Sequence, residues 1–352
     1  MQMKNNISEK TEYIYADYFR LICAIGIVAL HLDPFSDINK YANFFVGSVL
    51  TRLCVPFFFL LSGFFLKDKL NDWNKLSRYV LHLIKLYLVY TILYLPVNYF
   101  EYKDNGKSFL DDVLNLVKKF FFVGSYGQLW YFLALIFATF FLYVLVSKLQ
   151  VNDKAMMVIT TVLFVIGLFF RVYDKPIRDI VDEIRIVALY DSIFKTTRNG
   201  LFFGLPFVYW GNLIWKKKLV VERKKCGFLF VITVALLTLE ALFAHNVIGA
   251  SQLDMLLLLP ISSILFVIIV LSKNIDYSKE SVGVWCRKAS VLIFGFHLLI
   301  NFVLSRCAEN NGVEFGSIQR FIIVVAVNVL ISIIVIFSGR FRLLSWIEKV
   351  LL

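Results

Sequence analysis

Apolar runs of about twenty residues recur along this 352-residue chain. Each is long enough to cross the ~30 Å hydrocarbon core of a bilayer as a helix. Inside lipid every backbone N–H and C=O must be satisfied by the segment itself or by a closed barrel. Barrel strands are short and alternate apolar with polar residues. These runs are continuous, so the expected fold is all-α, a polytopic membrane helix bundle. Composition agrees: 59% of the residues are hydrophobic, against about 45–50% in a soluble domain.

Ten transmembrane helices are expected, at about 14–32, 44–66, 79–98, 128–147, 155–171, 199–215, 227–246, 253–271, 289–305 and 321–338. The whole chain, 1–352, reads as one domain. Residues 1–13 are expected as a cytoplasmic tail, 14–338 as the bundle and 339–352 as a cytoplasmic amphipathic tail ending in FRLLSWIEKVLL. The first span is expected to stay as an anchor, since more spans follow it and no small-residue cleavage site does. A net charge of +12 would suggest nucleic acid in a soluble chain. Here Lys and Arg concentrate in the segments on one side, most clearly in WKKKLVVERKK after span six. The positive-inside rule then gives N-in and C-in, and no nucleic-acid partner is expected.

Two outer loops are long. Residues 99–127 carry a helical apolar stripe of Phe109, Leu110, Val113, Leu114 and Val117, expected to lie on the membrane surface. Residues 172–198 contain RDIVDEIRIV, expected as a short amphipathic helix over the outer face. The five cysteines, Cys23, Cys54, Cys226, Cys286 and Cys307, form no CxxC pair and read as small hydrophobes. No metal site is expected.

Ionisable groups at membrane depth are costly, so each is a functional candidate. They are Arg20, His31, Arg52, Lys85, Glu240 and His297, with His82 and His245 near span ends. Arg20 and His31 are eleven residues apart on span one. At 100° per residue that is about 20° past three full turns, so both leave the helix on nearly one face, ~16 Å apart along the axis. They mark the ends of one polar track; as interface residues, Arg20 would instead snorkel and pair with Asp17. His31 suits a general base, and an arginine grips phosphate or carboxylate bidentately. In span two, Pro56 removes a backbone hydrogen bond and can kink the helix after Arg52. Ser62 and Gly63 permit close approach of a helix or a ligand. Trp130 opens span four and suits either a site wall or the interfacial belt. Arg198 and Asn199 stand at the outer mouth of span six. Glu240 lies in the outer half of span seven, and His297 near mid-depth in span nine, where helix-to-helix hydrogen bonding is the structural alternative. Ser62, Gly63, Trp130, Arg198, Asn199, Glu240 and His297 are the substrate-binding candidates.

The arginine–histidine spacing from Arg20 to His31, VPFFFLLSGFFL in span two, QLWYFLAL in span four and SVLIFGFHLLI in span nine resemble, in order, the acyltransferase 3 family. The resemblance covers nearly the full chain and implies an integral membrane enzyme of ten helices. Such enzymes O-acylate sugars, peptidoglycan, polysaccharides or lipids, commonly from acetyl-CoA. It implies Arg20 and His31 as paired essential residues, with Arg52, Ser62 and Gly63 in a second motif. HLDP after span one and TRNGLFFGLPF in span six are closer to a sub-branch that includes the membrane half of membrane-bound serine racemases. That half has been linked to amino-acid passage across the membrane. Neither a pyridoxal-phosphate racemase domain nor a fused hydrolase domain is expected in this chain.

The leading expectation is acyl transfer, in the cytoplasmic membrane of a bacterium. Acyl-CoA, acetyl-CoA foremost, docks from the cytoplasm, with Arg20 or Lys85 at its phosphates. His31 activates an acceptor hydroxyl or carries the acyl group itself, and Arg52 or Asn199 stabilises the oxyanion. The acceptor is a cell-surface carbohydrate or a lipid-linked envelope molecule. The alternative is a carrier for an amino acid such as L-serine, with Arg52 or Arg198 on its carboxylate. Against it, no inverted repeat or matched pair of broken helices is present. A scaffold has no need of ionisable residues inside its spans.

Overall fold

The computed structural model describes residues 13–104, 109–173, 190, 193–218, 223–272 and 280–352. Among the described residues all regular structure is helical. Seven helices among the described residues are long and apolar enough to cross a membrane: α1 (Ile14–Leu32), α2 (Lys40–Leu66), α3 (Trp73–Lys103), α5 (Trp130–Lys148), α8 (Lys224–Ile248), α10 (Ser281–Asn311) and α11 (Ser317–Ser338). Between α3 and α5 lies the amphipathic α4 (Phe109–Phe122). The expected spans five, six and eight fall on shorter apolar helices: α6 (Asp153–Phe169), α7 (Leu205–Lys216) with a preceding wide turn at Gly200–Gly204, and α9 (Leu259–Leu271). A last short helix, α12 (Ser345–Leu351), follows α11.

Local chemistry starts these helices. Asn39 accepts from the N–H groups of Tyr41 and Ala42 to open α2, and Asn152 accepts from Ala155 to open α6. Each satisfies donors that a helix start leaves without partners. Proline occupies the first turns of α7 and α9, where its missing N–H costs nothing.

Helix α1 lies at the centre, packed on α10, α2, α11 and α9. It runs parallel to α10, because Asp17 meets Arg287 near one end and His31 meets His297 further along. Helices α2 and α7 cross with backbone almost touching. A Cβ on Gly63 would lie 1.9 Å from the Val208 carbonyl oxygen, and one on Gly211 would lie 2.0 Å from that of Leu60. The absence of side chains at these two positions is what allows the crossing.

Leu110, Val113, Leu114 and Val117 of α4 are exposed, facing away from the protein body. The Tyr87 hydroxyl donates to the Phe120 carbonyl (2.6 Å) and holds the end of α4 against α3. The RDIVDEIRIV segment lies outside the described residues. Helix α12 is docked by Lys85, which donates to the Lys349 carbonyl (2.7 Å), and by the Lys288–Glu348 ion pair (2.6 Å). Four of the five cysteines are buried, Cys307 is exposed, and all are free thiols.

Candidate active site

Two departures from regular helix build the site. In α2 a wide turn (Val46–Leu50) is followed by a tight one (Thr51–Leu53) just before Pro56. Pro56 has no N–H for the Arg52 carbonyl, so a regular ladder cannot continue through this point. Arg52 sits in that irregular turn. In α10 the Tyr94 hydroxyl donates to the Gly295 carbonyl (3.0 Å) and accepts from the Leu299 N–H (2.8 Å). It stands between the two groups that would otherwise bond each other along the helix, and so opens the turn that carries His297. Gly295 is required there, because a Cβ would fall 2.0 Å from the Tyr90 ring.

His297 is fully buried. Its Nδ1 lies 3.1 Å from the Ile293 carbonyl and 2.9 Å from that of Phe294. Carbonyl oxygens only accept, so Nδ1 carries the proton and Nε2 offers a lone pair. Nε2 is buried and has no partner. The His31 ring is beside it, with centroids 5.3 Å apart.

His31 opens onto a cavity of about 30 Å³ whose wall includes Arg52, Gln128, Trp130, Tyr131, Arg198 and Asp254. Asp254 anchors the charge. Arg171 grips it with two hydrogen bonds of 2.8 Å, and Arg198 pairs with it at 3.0 Å. The Arg198 guanidinium also lies 4.7 Å above the Trp130 ring, a cation–π contact. A wider hollow of about 420 Å³, lined by Asn98, Glu101, Lys119, Tyr126 and others, shares Trp130 and Arg198 with this cavity. On the other side Arg52 reaches a third hollow of about 340 Å³ with Asp33, Ser36 and Lys40.

Arg20 is at the opposite end of α1. It pairs with Asp17, which also meets Arg287 at 3.3 Å. Its guanidinium lies 5.0 Å from the Phe65 ring centre, with Lys67 at 5.7 Å from the same ring. Tyr131 spans the gap. It lines the His31 cavity, and both it and Tyr79 lie within electrostatic reach of Ser62 and Arg20. The two ends of the track are thus joined by phenols and a serine.

Of the expected site residues, His31, Arg52, Trp130 and Arg198 share one cavity, with His297 against His31. Ser62 lies along the path toward Arg20. Four others are engaged elsewhere. Gly63 is a helix-crossing contact. The Asn199 Oδ1 accepts from the N–H groups of Leu201 and Phe202, opening the wide turn before α7, and its Nδ2 donates to the Tyr190 hydroxyl (2.5 Å) and the Thr196 carbonyl (3.2 Å). Glu240 accepts from the N–H groups of Leu257 (2.5 Å) and Leu258 (3.0 Å) at the start of α9. Lys85 holds α12 through the Lys349 carbonyl rather than standing beside Arg20. Asp254, Arg171, Gln128 and Tyr131 were not among the candidates. Asp254 had a visible signal, an acid inside the expected span 253–271. Among the described residues no group of three or more His, Cys, Asp or Glu gathers as a metal site would require.

A family model described as an acyltransferase domain matches residues 13–337. The chain belongs to this acyltransferase family. It is 26% identical over 329 residues to an amino-acid racemase of Enterococcus faecalis, covering 90% of this chain and 45% of that protein. A second match named amino-acid racemase, also from Enterococcus faecalis, is 32% identical over 213 residues, 59% of this chain and 29% of the relative. A serine/alanine racemase of Enterococcus gallinarum is 27% identical over 259 residues, 70% of this chain and 35% of the relative. The chain thus spans less than half the length of the curated relatives it matches. No solved structure matches it.

Proposed function

We propose that this membrane protein transfers an acyl group, acetyl foremost, from cytoplasmic acyl-CoA to a hydroxyl of an envelope carbohydrate or lipid-linked acceptor. The observation that carries the proposal is His31, backed by His297 and open to a cavity, on a helix whose same face bears Arg20 at the other end. The membership of an acyltransferase family supports it. The bundle would cross the membrane ten times with both termini inside, which sets Arg20 toward the cytoplasm and His31 toward the outer half.

In this scheme the basic mouth around Arg20, Lys67 and Arg287 receives the donor's phosphates. His31 takes the proton of the acceptor hydroxyl as its oxygen attacks the thioester carbonyl. The tetrahedral oxyanion forms beside the Arg52 guanidinium. On collapse the C–S bond breaks, and the leaving thiolate takes the proton from the imidazolium. If His31 carries the acyl group itself, its ring nitrogen first bonds the acyl carbon as the C–S bond breaks; the acceptor oxygen then displaces that nitrogen, and the hydroxyl proton passes to the freed imidazole and on to the thiolate. The bare Nε2 of His297 lies beside the His31 ring; by accepting an N–H from His31 in the reacting complex it would leave the other His31 nitrogen as the base, which makes His297 a positioning residue.

Vesicles containing the chain, supplied with acetyl-CoA labelled in its acetyl group, test this directly. Label entering the envelope fraction should match the thiol released from CoA. Absence of donor consumption by the wild-type chain contradicts the proposal.

A second reading is supported by the racemase names of the matched relatives and by the two arginines on the cavity wall. Under it the chain carries an amino acid across the membrane. Labelled serine entering vesicles without any acyl donor would favour this reading over transfer.

A further inference from the structure

Charge is out of balance around the His31 cavity. Arg52 and Arg198 both line it, and Asp254 is the carboxylate on the same wall. That carboxylate is already held through both oxygens by Arg171, and Arg198 shares one of them. Arg52 has no hydrogen-bond or ion-pair acceptor among the described residues, and its Nε is buried without a partner. The Arg198 Nε is likewise buried and unpartnered. Asp33 lies across the neighbouring hollow, but it is exposed and accepts from the Asn43 amide. Two buried N–H donors of positively charged groups without acceptors are costly at rest. A reaction oxyanion exists only fleetingly and cannot offset that resting cost. A lasting counter-charge has to come with a ligand.

We infer that the molecule entering this cavity bears an oxyanion, a carboxylate or a phosphate, seated on Arg52 and Arg198 with its hydroxyl toward His31. The inference deepens the acyl-transfer reading by giving the acceptor a chemical class, a hydroxylated anion. It rests on that reading only for the role of the hydroxyl. Trp130, under the Arg198 guanidinium, forms the apolar wall against which the carbon skeleton lies. The wider hollow beyond Trp130 and Arg198 leaves room for the remainder of a larger acceptor.

The test is an equilibrium titration of the full chain in nanodiscs, with no acyl donor present, read by tryptophan fluorescence. The probes are glycerate, glycerol 3-phosphate, glycerol and chloride. A saturable change is expected with at least one of the two organic anions and not with glycerol. A carboxylate-only response assigns a hydroxy acid; a phosphate-only response assigns a phosphate-bearing polymer or headgroup. Arg52→Gln should weaken binding about tenfold or more, the loss of charged hydrogen bonds, with Arg52→Lys recovering part of it. Arg198→Gln is the second variant should Arg52→Gln fail to fold. Saturation by glycerol or chloride as strong as by the anions, indifference to both Gln variants, or no saturable response overturns the inference. Because the donor is absent, a chain that binds the anion but transfers no acyl group would overturn the acyl-transfer reading alone.

Discussion

At the scale of single residues, His297 separates geometry from general structure. Its Nδ1 is committed to two backbone carbonyls, so its one free atom is Nε2, beside His31. His297→Ala should lower kcat on the order of a hundredfold with KM little changed, since it loosens the aim of His31 and leaves both substrate ends intact. Steady-state kinetics of the purified variant check this; a raised KM with unchanged kcat would make His297 a binding residue. Asp254 gives a stability prediction. Asp254→Asn removes the carboxylate between Arg171 and Arg198 and should cost about 3 kcal/mol at neutral pH. Thermal melts of both proteins at neutral pH check this, and equal melting temperatures would contradict it. The position of His31 and Arg20 on one face was legible from helical arithmetic alone. The partnership of His31 with His297 was not, because it depends on two helices, far apart in the chain, running parallel.

At the scale of elements, the α2–α7 crossing and the irregular turns set the site. Gly63→Ala should destabilise by about 1–3 kcal/mol, because the added methyl meets fixed backbone and the helices must separate. Gly227 in α8 has nothing within 4 Å of a built Cβ. Gly227→Ala should instead stabilise by about 1 kcal/mol through helix propensity. Melting temperatures of the pair in one detergent give the comparison, and equal effects would refute the crossing as the reason for Gly63. A small residue in a span is readable as a close-approach position, but not what approaches it: at Gly63 that is the Val208 carbonyl. Asn199 and Glu240 show a related point. A polar side chain near a span end looks the same in sequence whether it meets substrate or a neighbouring helix start, and only the N–H groups of Leu201, Phe202, Leu257 and Leu258 distinguish the two. Pro56 did point to a break in α2, since a missing donor acts locally.

At the scale of the whole molecule, the all-helical membrane architecture followed from the length of the apolar runs, while the cavity required assembly of α1, α2, α5, α10 and the segments carrying Arg198 and Asp254. The proposed orientation has a built-in probe. Cys307 is the exposed thiol near the Asn311 end of α10, and the other four are buried. With both termini inside, an impermeant maleimide should label Cys307 in intact cells; labelling only after permeabilisation would invert the bundle. The most direct measurement of the central claim is mass spectrometry of O-acyl groups on envelope material from cells expressing the chain or its His31→Ala variant at equal abundance. Acyl groups present with the wild-type chain and absent with His31→Ala are the predicted result. Equal acylation by the two would contradict it.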